Sequence, residues 1–422
     1  MINYKFSIFT GEHDPENIPF LLELYDSILS QTYTNWEWII LTNNGCWPKN
    51  IPELIRNNNK VSVIDYRGPS KNIGMIKKQA CMHCTGDILV EVDHDDLITS
   101  NCLEELNQAY QDLEVGFVYS KDAMYDIKND FVPFNKNSGW THDKYSFRGR
   151  DLWVMNNWAP SSHIFSYIWY TPDHVRTFRK SVYTQIGGYD ESAFICDDQD
   201  LCIRAYLATK TVSIDKVLYI YRITGNNTSI NKRNKEIQIK TKELYIKYAR
   251  DLANRDADLK NLLKIDLGGG LNPLPGYKTI DLRHTADIVA DLNNRIPLPD
   301  NSVGVINASH ILEHLYDKNK IMSEIYRVLV HGGWAFIDVP STDGRGAFQD
   351  PTHVSYWNEN SFLYYTDANF ANFIDNKTIR FQEYHKDTYY PNDWMRSMHS
   401  LVTSVSLVAI KDGSRLPGSL KI

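Results

Sequence analysis

The sequence predicts an α/β protein of two domains, each built on a mostly parallel sheet. Three observations support this. Short apolar runs alternate with helix-period segments in residues 1–115, and the pattern starts again at residue 262. Acidic residues close the apolar runs in both halves, at Asp93–Asp96 and at Asp266, Asp281 and Asp291. At 422 residues, the chain is long enough to bury two or three separate cores.

In the first half, Phe6–Thr10 reads as a strand, and residues 19–30 as a helix with Phe20, Leu21, Leu24 and Ile28 on one face. Strands follow at Trp36–Leu41 and Val61–Tyr66, with the turn Asn43-Asn44-Gly45 between them. A helix over Ile73–Cys84 leads to a strand over Asp87–Val92, which runs into the acidic cluster. Residues 116–225 are less regular and rich in Trp, Tyr, His and Asn, which suits a substrate-facing half. Residues 231–258 form a charged helix whose Ile237, Leu244, Tyr245, Tyr248 and Leu252 share a face, as a packed connector would. The second series places strands at Lys264–Leu267, Thr279–Leu282, Ile288–Leu292, Val303–Asn307 and Trp334–Val339, with a helix over Lys318–Leu329. The expected divisions are 1–230, 231–260 and 261–422.

Composition removes several function classes. A formal charge of −7, with no basic block of five or more, excludes a general nucleic-acid binder. The chain opens on a strand-like segment without the basic and apolar regions of a secretory leader. Leu401–Ile410 is too short, and too interrupted by Ser and Thr, to cross a bilayer, so no transmembrane segment is expected. A cytoplasmic protein with reduced cysteines is the expectation. Cys81 and Cys84 form a lone C-x-x-C, short of the four ligands that structural zinc takes, and helix-packed thiols are the plainer reading.

Two carboxylates at i and i+2 beyond a strand end, Asp93 and Asp95, can share one divalent cation and leave positions for phosphate oxygens. Such a pair also occurs in ordinary solvated turns, so context decides. About a hundred residues later, Gly187-Gly188-Tyr189-Asp190 precedes Asp197-Asp198-Gln199-Asp200-Leu201, a second acidic group opening an apolar helix. With Trp36–Ile40 and Tyr221-Arg222, these stretches make residues 4–228 resemble the family 2 glycosyltransferases of GT-A fold.

That resemblance implies a nucleotide-diphosphate-sugar donor, a glycan acceptor and inverting transfer. It assigns Asp93 and Asp95 to donor and metal (Mn²⁺ or Mg²⁺), and Asp198 to the base that deprotonates the acceptor hydroxyl. Thr10, Gly11 and Asn44 would form the donor loop, with Lys77 near the phosphates. Capping of a helix starting near Leu201 is the competing role for Asp198, and Asp197 or Asp200 would cap or hold the loop. The chain departs from the family pattern at Asn43-Asn44, where acids are common, and at Thr224, where a metal-binding His often stands. The middle segment also holds His163 and His174. The faces of Trp158 and Trp169 are candidates to stack on sugar rings and Arg176 or Arg179 to contact phosphate, although the same residues equally suit the second half of the sheet and its cover.

In the second half, Asp266-x-Gly268-x-Gly270 at a strand end lets backbone approach a ligand closely. Asp281, one strand later, offers a carboxylate to ribose hydroxyls. A dinucleotide oxidoreductase shares these features. His310-Ile311-Leu312-Glu313-His314 and Arg327–Gly333, read as a helix-to-strand turn, make residues 262–411 resemble the class I S-adenosylmethionine-dependent methyltransferases with a Rossmann-like fold. The resemblance implies S-adenosylmethionine as cofactor. Asp266, Gly268 and Gly270 would lie at its methionine part, Asp281 at ribose, Asp291 and Leu292 at adenine, and His310 nearby. His314 and His353 are candidate bases for an acceptor hydroxyl, although Glu313-His314 equally suits a packing pair. The expectation is a bifunctional enzyme acting on one glycan; a glycosyltransferase with the second domain as scaffold is the alternative. Donor, sugar, acceptor, methylated atom and oligomeric state are not specified by the sequence.

Overall fold

The computed structural model describes residues 1–12, 14–43, 46–68, 72–128, 131–133, 141–155, 158–162, 164–165, 172–224 and 234–411. Asn44, His163 and Trp169 lie outside the described residues. Two compact units result, Met1–Tyr248 and the chain from Ala249 onward. The charged helix, Asn234–Leu259, contributes residues to both.

The first unit is one sheet of β1 (Phe6–Glu12), β2 (Trp36–Thr42), β3 (Val61–Asp65), β4 (Ile88–Glu91), β5 (Leu97–Ile98), β6 (Val115–Asp126), β7 (His142–Phe147), β8 (Arg150–Met155), β9 (Arg176–Arg179) and β10 (Lys210–Ile223). The order is β3-β2-β1-β4-β9-β6-β10-β5, with β7 and β8 attached to β6. Strands β1 to β4 pair in parallel, and β9 enters antiparallel between β4 and β6. Strands β1, β2 and β4 are buried on both faces, so they read as apolar runs instead of alternating ones; Phe6, Ile8, Trp38, Ile40, Ile88 and Val90 are fully enclosed, while β3 at the edge is partly exposed. Helix Ile18–Leu29 buries Leu21, Leu24, Tyr25 and Ile28 at i, i+3, i+4 and i+7. Tyr25 stacks on Trp38, while the expected Phe20 is only half-buried and lies under the Arg222 guanidinium.

The opposite end of this sheet from the acidic cluster is pinned by one side chain. Glu37, near the start of β2, accepts from Lys5 Nζ (2.6 Å), Ser7 Oγ (2.5 Å) and the Thr85 N–H (2.6 Å). It thereby ties β1, β2 and the turn entering β4.

The second unit carries β11 (Leu263–Leu267), β12 (Lys278–Asp281), β13 (Ile288–Val289), β14 (Val303–Ser309), β15 (Leu329–Pro340), β16 (Phe381–Tyr389) and β17 (Val402–Ala409). Their order is β13-β12-β11-β14-β15-β17-β16. Strands β11 to β15 pair in parallel; β17 is antiparallel to both β15 and β16. The strand order reverses between β11 and β14, the place where open α/β sheets bind ligands beyond the strand carboxyl ends. Ile265, Leu267, Ile306, Ala308, Ile337 and Val405 form its centre.

Two boundaries differ from expectation. The Arg327–Gly333 stretch is mostly strand, because β15 begins at Leu329, directly after helix Lys318–Val328. Only Ile288–Val289 of the expected third strand is paired. Leu401–Ile410 proves to be the interior strand β17, which accounts for its apolar character. Among the described residues, no helix is long and apolar enough to cross a membrane.

Glu37 yields a stability prediction. Burial opposes its ionisation, but the bonds from Lys5, Ser7 and Thr85 prevail and hold its carboxyl down to about 2. The folded value lies below the unfolded one, so its contribution is full above the ordinary carboxyl range and fades as pH falls through about 2. Glu37→Gln should lower unfolding free energy by roughly 1–2 kcal/mol at pH 7, allowing for partial solvent contact. Urea unfolding of both proteins should bring that gap toward zero near the acid end.

Candidate active sites

In the first unit, β1 and β4 end side by side, and β4 delivers the acidic cluster. Asp96 is fixed within the fold: it is buried and accepts from Tyr219 Oη (2.8 Å) and the Arg222 N–H (2.6 Å). Arg222 Nε donates to the Asp95 carbonyl (2.6 Å), and its guanidinium reaches Glu23 (3.2 Å). The turn is thus bolted to β10, while the Asp93 and Asp95 carboxylates accept no hydrogen bond from the described residues. Burial pushes the Asp93 carboxyl up, partly offset by Lys77. A pair of half-buried hard oxygen donors that accept no hydrogen bond from the described residues fits a divalent cation.

Beside this turn lies a network of five charges. Lys77, on helix Ile73–His83, contacts Glu91 (2.5 Å) and Asp197 (3.2 Å). Arg176, opposite Glu91 in the β4–β9 register, contacts Asp198 (2.5 Å) and lies 4.0 Å from Glu91. Burial works to raise the Asp198 carboxyl, but Arg176 and then Lys77 outweigh it and hold it well below the usual carboxylate range. Asp197 is lifted by burial to about 6.

Asp198 and its neighbours do not cap the helix as sequence reading allowed. The helix begins at Asp197, four residues earlier than expected, after Cys196 in a left-handed conformation. Asp198 is therefore in the first turn, where negative charge suits the helix N-terminus. Asp200 instead binds Arg204 Nε (2.7 Å) and Tyr248 Oη (2.8 Å).

Thr10 Oγ1 is used internally, donating to the Val92 carbonyl and accepting from Trp38 Nε1, so only its backbone is available to a ligand. Gly11 is half-buried beside it. Arg179 is occupied by the carbonyls of Val115 and Tyr110, which leaves Arg176 as the arginine at the site. His174 is buried and stacked on Tyr219 at 4.6 Å. Glu91 escaped the sequence reading, although a lone acid in the run Ile88–Val92 was a usable signal. Asp122 and Asp173 were also missed: burial drives the Asp122 carboxyl far up and Asp173 to about 6.

In the second unit, the glycine loop follows β11. Asp266 Oδ1 accepts from Asn307 Nδ2 (2.7 Å) and Oδ2 from the Leu274 N–H (2.9 Å), so this side chain shapes the loop from beneath. Gly268 (φ +70°) lies against Ile311, and a Cβ there would come within 2.6 Å of that side chain. The Gly270 N–H donates to Asp281 Oδ2 (3.0 Å), while Asp281 Oδ1 accepts from the Arg283 N–H. Loop and ribose-type carboxylate are thus held together at the ends of β11 and β12. Asp291 is engaged by Asn293 and Asn294, and Leu292 is buried in the core. His310, also left-handed (φ +53°), follows β14 and lies 3.5 Å from Glu313. His314 and His353 meet edge to face at 5.0 Å.

Residues 16–170 match the family model of glycosyl transferase family 2, and residues 247–337 match that of a methyltransferase domain. A probable S-adenosylmethionine-dependent methyltransferase of Mycolicibacterium smegmatis is 35% identical over 82 residues, 18% of this chain and 30% of that protein. The glycosyltransferase GlyG of Streptococcus pneumoniae serotype 4 is 24% identical over 208 residues, 48% of this chain and 66% of that protein. Among solved structures, S. aureus TarS is 16% identical with a TM-score of 0.44, over 61% of this chain and 43% of that one. The chain spans less than two thirds of the length of each of these proteins. A domain matching the glycosyl transferase family 2 model is thus followed, in the same polypeptide, by a domain matching the methyltransferase model.

The glycine loop supplies a prediction with an internal control. Gly268→Ala meets both a positive φ and the Ile311 side chain, and should cost about 2–4 kcal/mol of stability. Gly276→Ala has a positive φ but nothing within 4 Å, and should cost about 1–2 kcal/mol. Equal losses in denaturant unfolding would contradict the packing of Ile311 on the loop.

Proposed function

We propose that the chain is a bifunctional transferase: inverting, metal-dependent sugar transfer to a glycan hydroxyl in the first unit, and S-adenosylmethionine-dependent O-methylation of the same glycan in the second. The observation that carries this reading is that each unit presents ligand-ready carboxylates at parallel-strand ends. In the first, the Asp93 and Asp95 carboxylates accept no hydrogen bond from the described residues, Asp95 lying 4.0 Å from His94 Nε2, while Asp96 is consumed by the fold.

In sugar transfer, Asp93 and Asp95 would hold Mn²⁺ or Mg²⁺, which when bound supplies charge compensation for a departing diphosphate. The backbone at Thr10 and Gly11 would contact the donor, and the sequence adds Asn44 to that loop. Asp198 takes the proton of the acceptor hydroxyl. Its ion pair with Arg176 (2.5 Å) keeps the carboxylate ionised and oriented, but also makes it a weak base. A donor diphosphate gives Arg176 a competing anion, and loosening of that pair raises the basicity of Asp198 when substrate is present. Lys77, bound by Glu91 and Asp197, contributes positive potential near the phosphates.

In methyl transfer, the Gly268 and Gly270 backbone accommodates the methionine part, with Asp266 positioning the loop. Asp281 accepts from the ribose hydroxyls, Asp291 and Leu292 flank adenine, and His310 borders the cofactor. Methyl transfer is an in-line displacement, so alignment of acceptor and cofactor supplies most of the rate. His314 and His353 are the groups next to this crevice able to accept an acceptor's proton.

The test is transfer of labelled sugar from a panel of nucleotide-diphosphate donors to glycan acceptors by the full chain. Asp198→Asn should lower kcat by ~10²–10⁴-fold with donor binding retained. Chelation with EDTA should abolish transfer, and added Mn²⁺ or Mg²⁺ restore it. Unchanged turnover in Asp198→Asn would remove the base assignment, and indifference to EDTA would remove the metal. Methyl label appearing on the glycosylated product, and not on the bare acceptor, is expected if one glycan serves both units.

A further inference from the structure

Behind the cofactor loop of the second unit lies a donor set of a different chemical kind. We propose that Glu313, His314 and His353 form a binding site for one divalent transition-metal ion, with Zn²⁺ as the best match. One ligand atom from each of the three lies within 4.8 Å of the others. Three further features of these side chains point to a cation.

Glu313 is 2% exposed, and its Oε2 has no hydrogen-bond partner. An unsatisfied buried carboxylate oxygen is costly, and a cation is what relieves that cost. Its other oxygen, Oε1, lies toward His310 Nδ1 at 3.5 Å. The two imidazoles are also prepared. His353 Nδ1 lies 2.9 Å from the Ala347 carbonyl, and His314 Nδ1 lies 3.2 Å from the Thr352 carbonyl. Carbonyls only accept, so each Nδ1 carries the proton and each Nε2 presents a lone pair. Thr352 Oγ1 gives its own hydrogen to Asp350 Oδ1 (2.6 Å), so at 3.2 Å it too faces His314 Nδ1 as an acceptor. Anchoring one ring nitrogen on a carbonyl so that the other can ligate is the usual outer-shell arrangement of metal-binding histidines. The rings meet at 71°, not stacked face to face.

The donor types select the ion. Two imidazoles and one carboxylate suit Zn²⁺ and its neighbours, whereas Mg²⁺ and Ca²⁺ prefer oxygen alone. Three protein ligands leave a coordination position open. Asp350 Oδ2, 3.9 Å from His353 Nε2, is too distant for a hydrogen bond. Glu313 and His314 belong to the turn Leu312–His314, just beyond the end of β14, and Ile311 of the same segment covers Gly268. An ion here stands beside the cofactor loop, where it would orient an acceptor oxygen. That use rests on the methyl-transfer reading; the binding itself does not, and it turns His314 and His353 from bases into ligands.

Binding is measured on the full, untagged chain carrying Asp93→Asn and Asp95→Asn, which removes the other candidate cation site. Titration with Zn²⁺ against a chromophoric chelator should give one bound ion per chain. His353→Ala and Glu313→Gln should each weaken it by about 100-fold or more, since loss of an outer-shell partner alone costs ~10–100-fold. S-adenosylhomocysteine binding, measured on every variant, reports whether the unit is folded and should persist. Co²⁺ bound to the intact triad should give visible bands of a nitrogen-ligated ion, a readout independent of any triad variant folding. No Zn²⁺ bound, no such bands, or affinity unchanged in both triad variants would overturn the site. Zn²⁺ binding without S-adenosylhomocysteine binding would leave the metal site standing and remove the methyl-transfer reading.

Discussion

Compensation of carboxylates buried at the strand ends is the constraint on which the rest depends. In the first unit, Glu91, Asp197 and Asp198 face two cations among the described residues, Lys77 and Arg176. Three acids against two bases leave one acid poorly served. Asp198 takes the close guanidinium and is held strongly ionised, while Asp197, more deeply buried, is lifted to about 6. Loss of either cation would leave buried carboxylates unpaired, which costs far more than the pair itself contributes. The network therefore fixes helix Ile73–His83, strand β9 and helix Asp197–Ala208 relative to the acidic turn, and with them the position of Asp198.

The second unit solves the same problem largely without cations. Asp266 is neutralised by an amide and a backbone N–H, and Asp281 by two backbone N–H groups. Such groups stabilise a carboxylate without competing for it as a guanidinium would. Asp281 thus holds the glycine loop in place through one oxygen while its other oxygen accepts from the Arg283 N–H. Glu313 is the exception, with one oxygen unserved, and that exception lies beside two prepared imidazoles.

Much of this was legible in the sequence because local pattern and global fold agree. The strands feeding Asp93 and Asp266 lie within a residue or two of where apolar runs placed them. The strand-end positions of Asp93, Asp95, Gly268 and Asp281 were readable because they depend on backbone a few residues away. What could not be read depends on distant pairing. The division of labour between Asp96 and its neighbours is set by Tyr219 and Arg222, more than a hundred residues later. The state of Asp198 is set by Arg176, brought beside it by an antiparallel strand inserted between β4 and β6. The helix start at Asp197 was missed because its entry is a left-handed Cys196 without a side-chain cap, a conformation that residue type does not announce.

That one polypeptide holds two working transfer sites is the central claim, and the second site is the one to measure. Calorimetric titration of S-adenosylhomocysteine into the full chain, with Asp281→Ala as the paired variant, addresses it directly. Saturable binding at one site per chain, lost in Asp281→Ala while its thermal unfolding is unchanged, is the predicted result. Absence of binding to the unsubstituted chain would contradict the account and leave the second unit as a scaffold for sugar transfer.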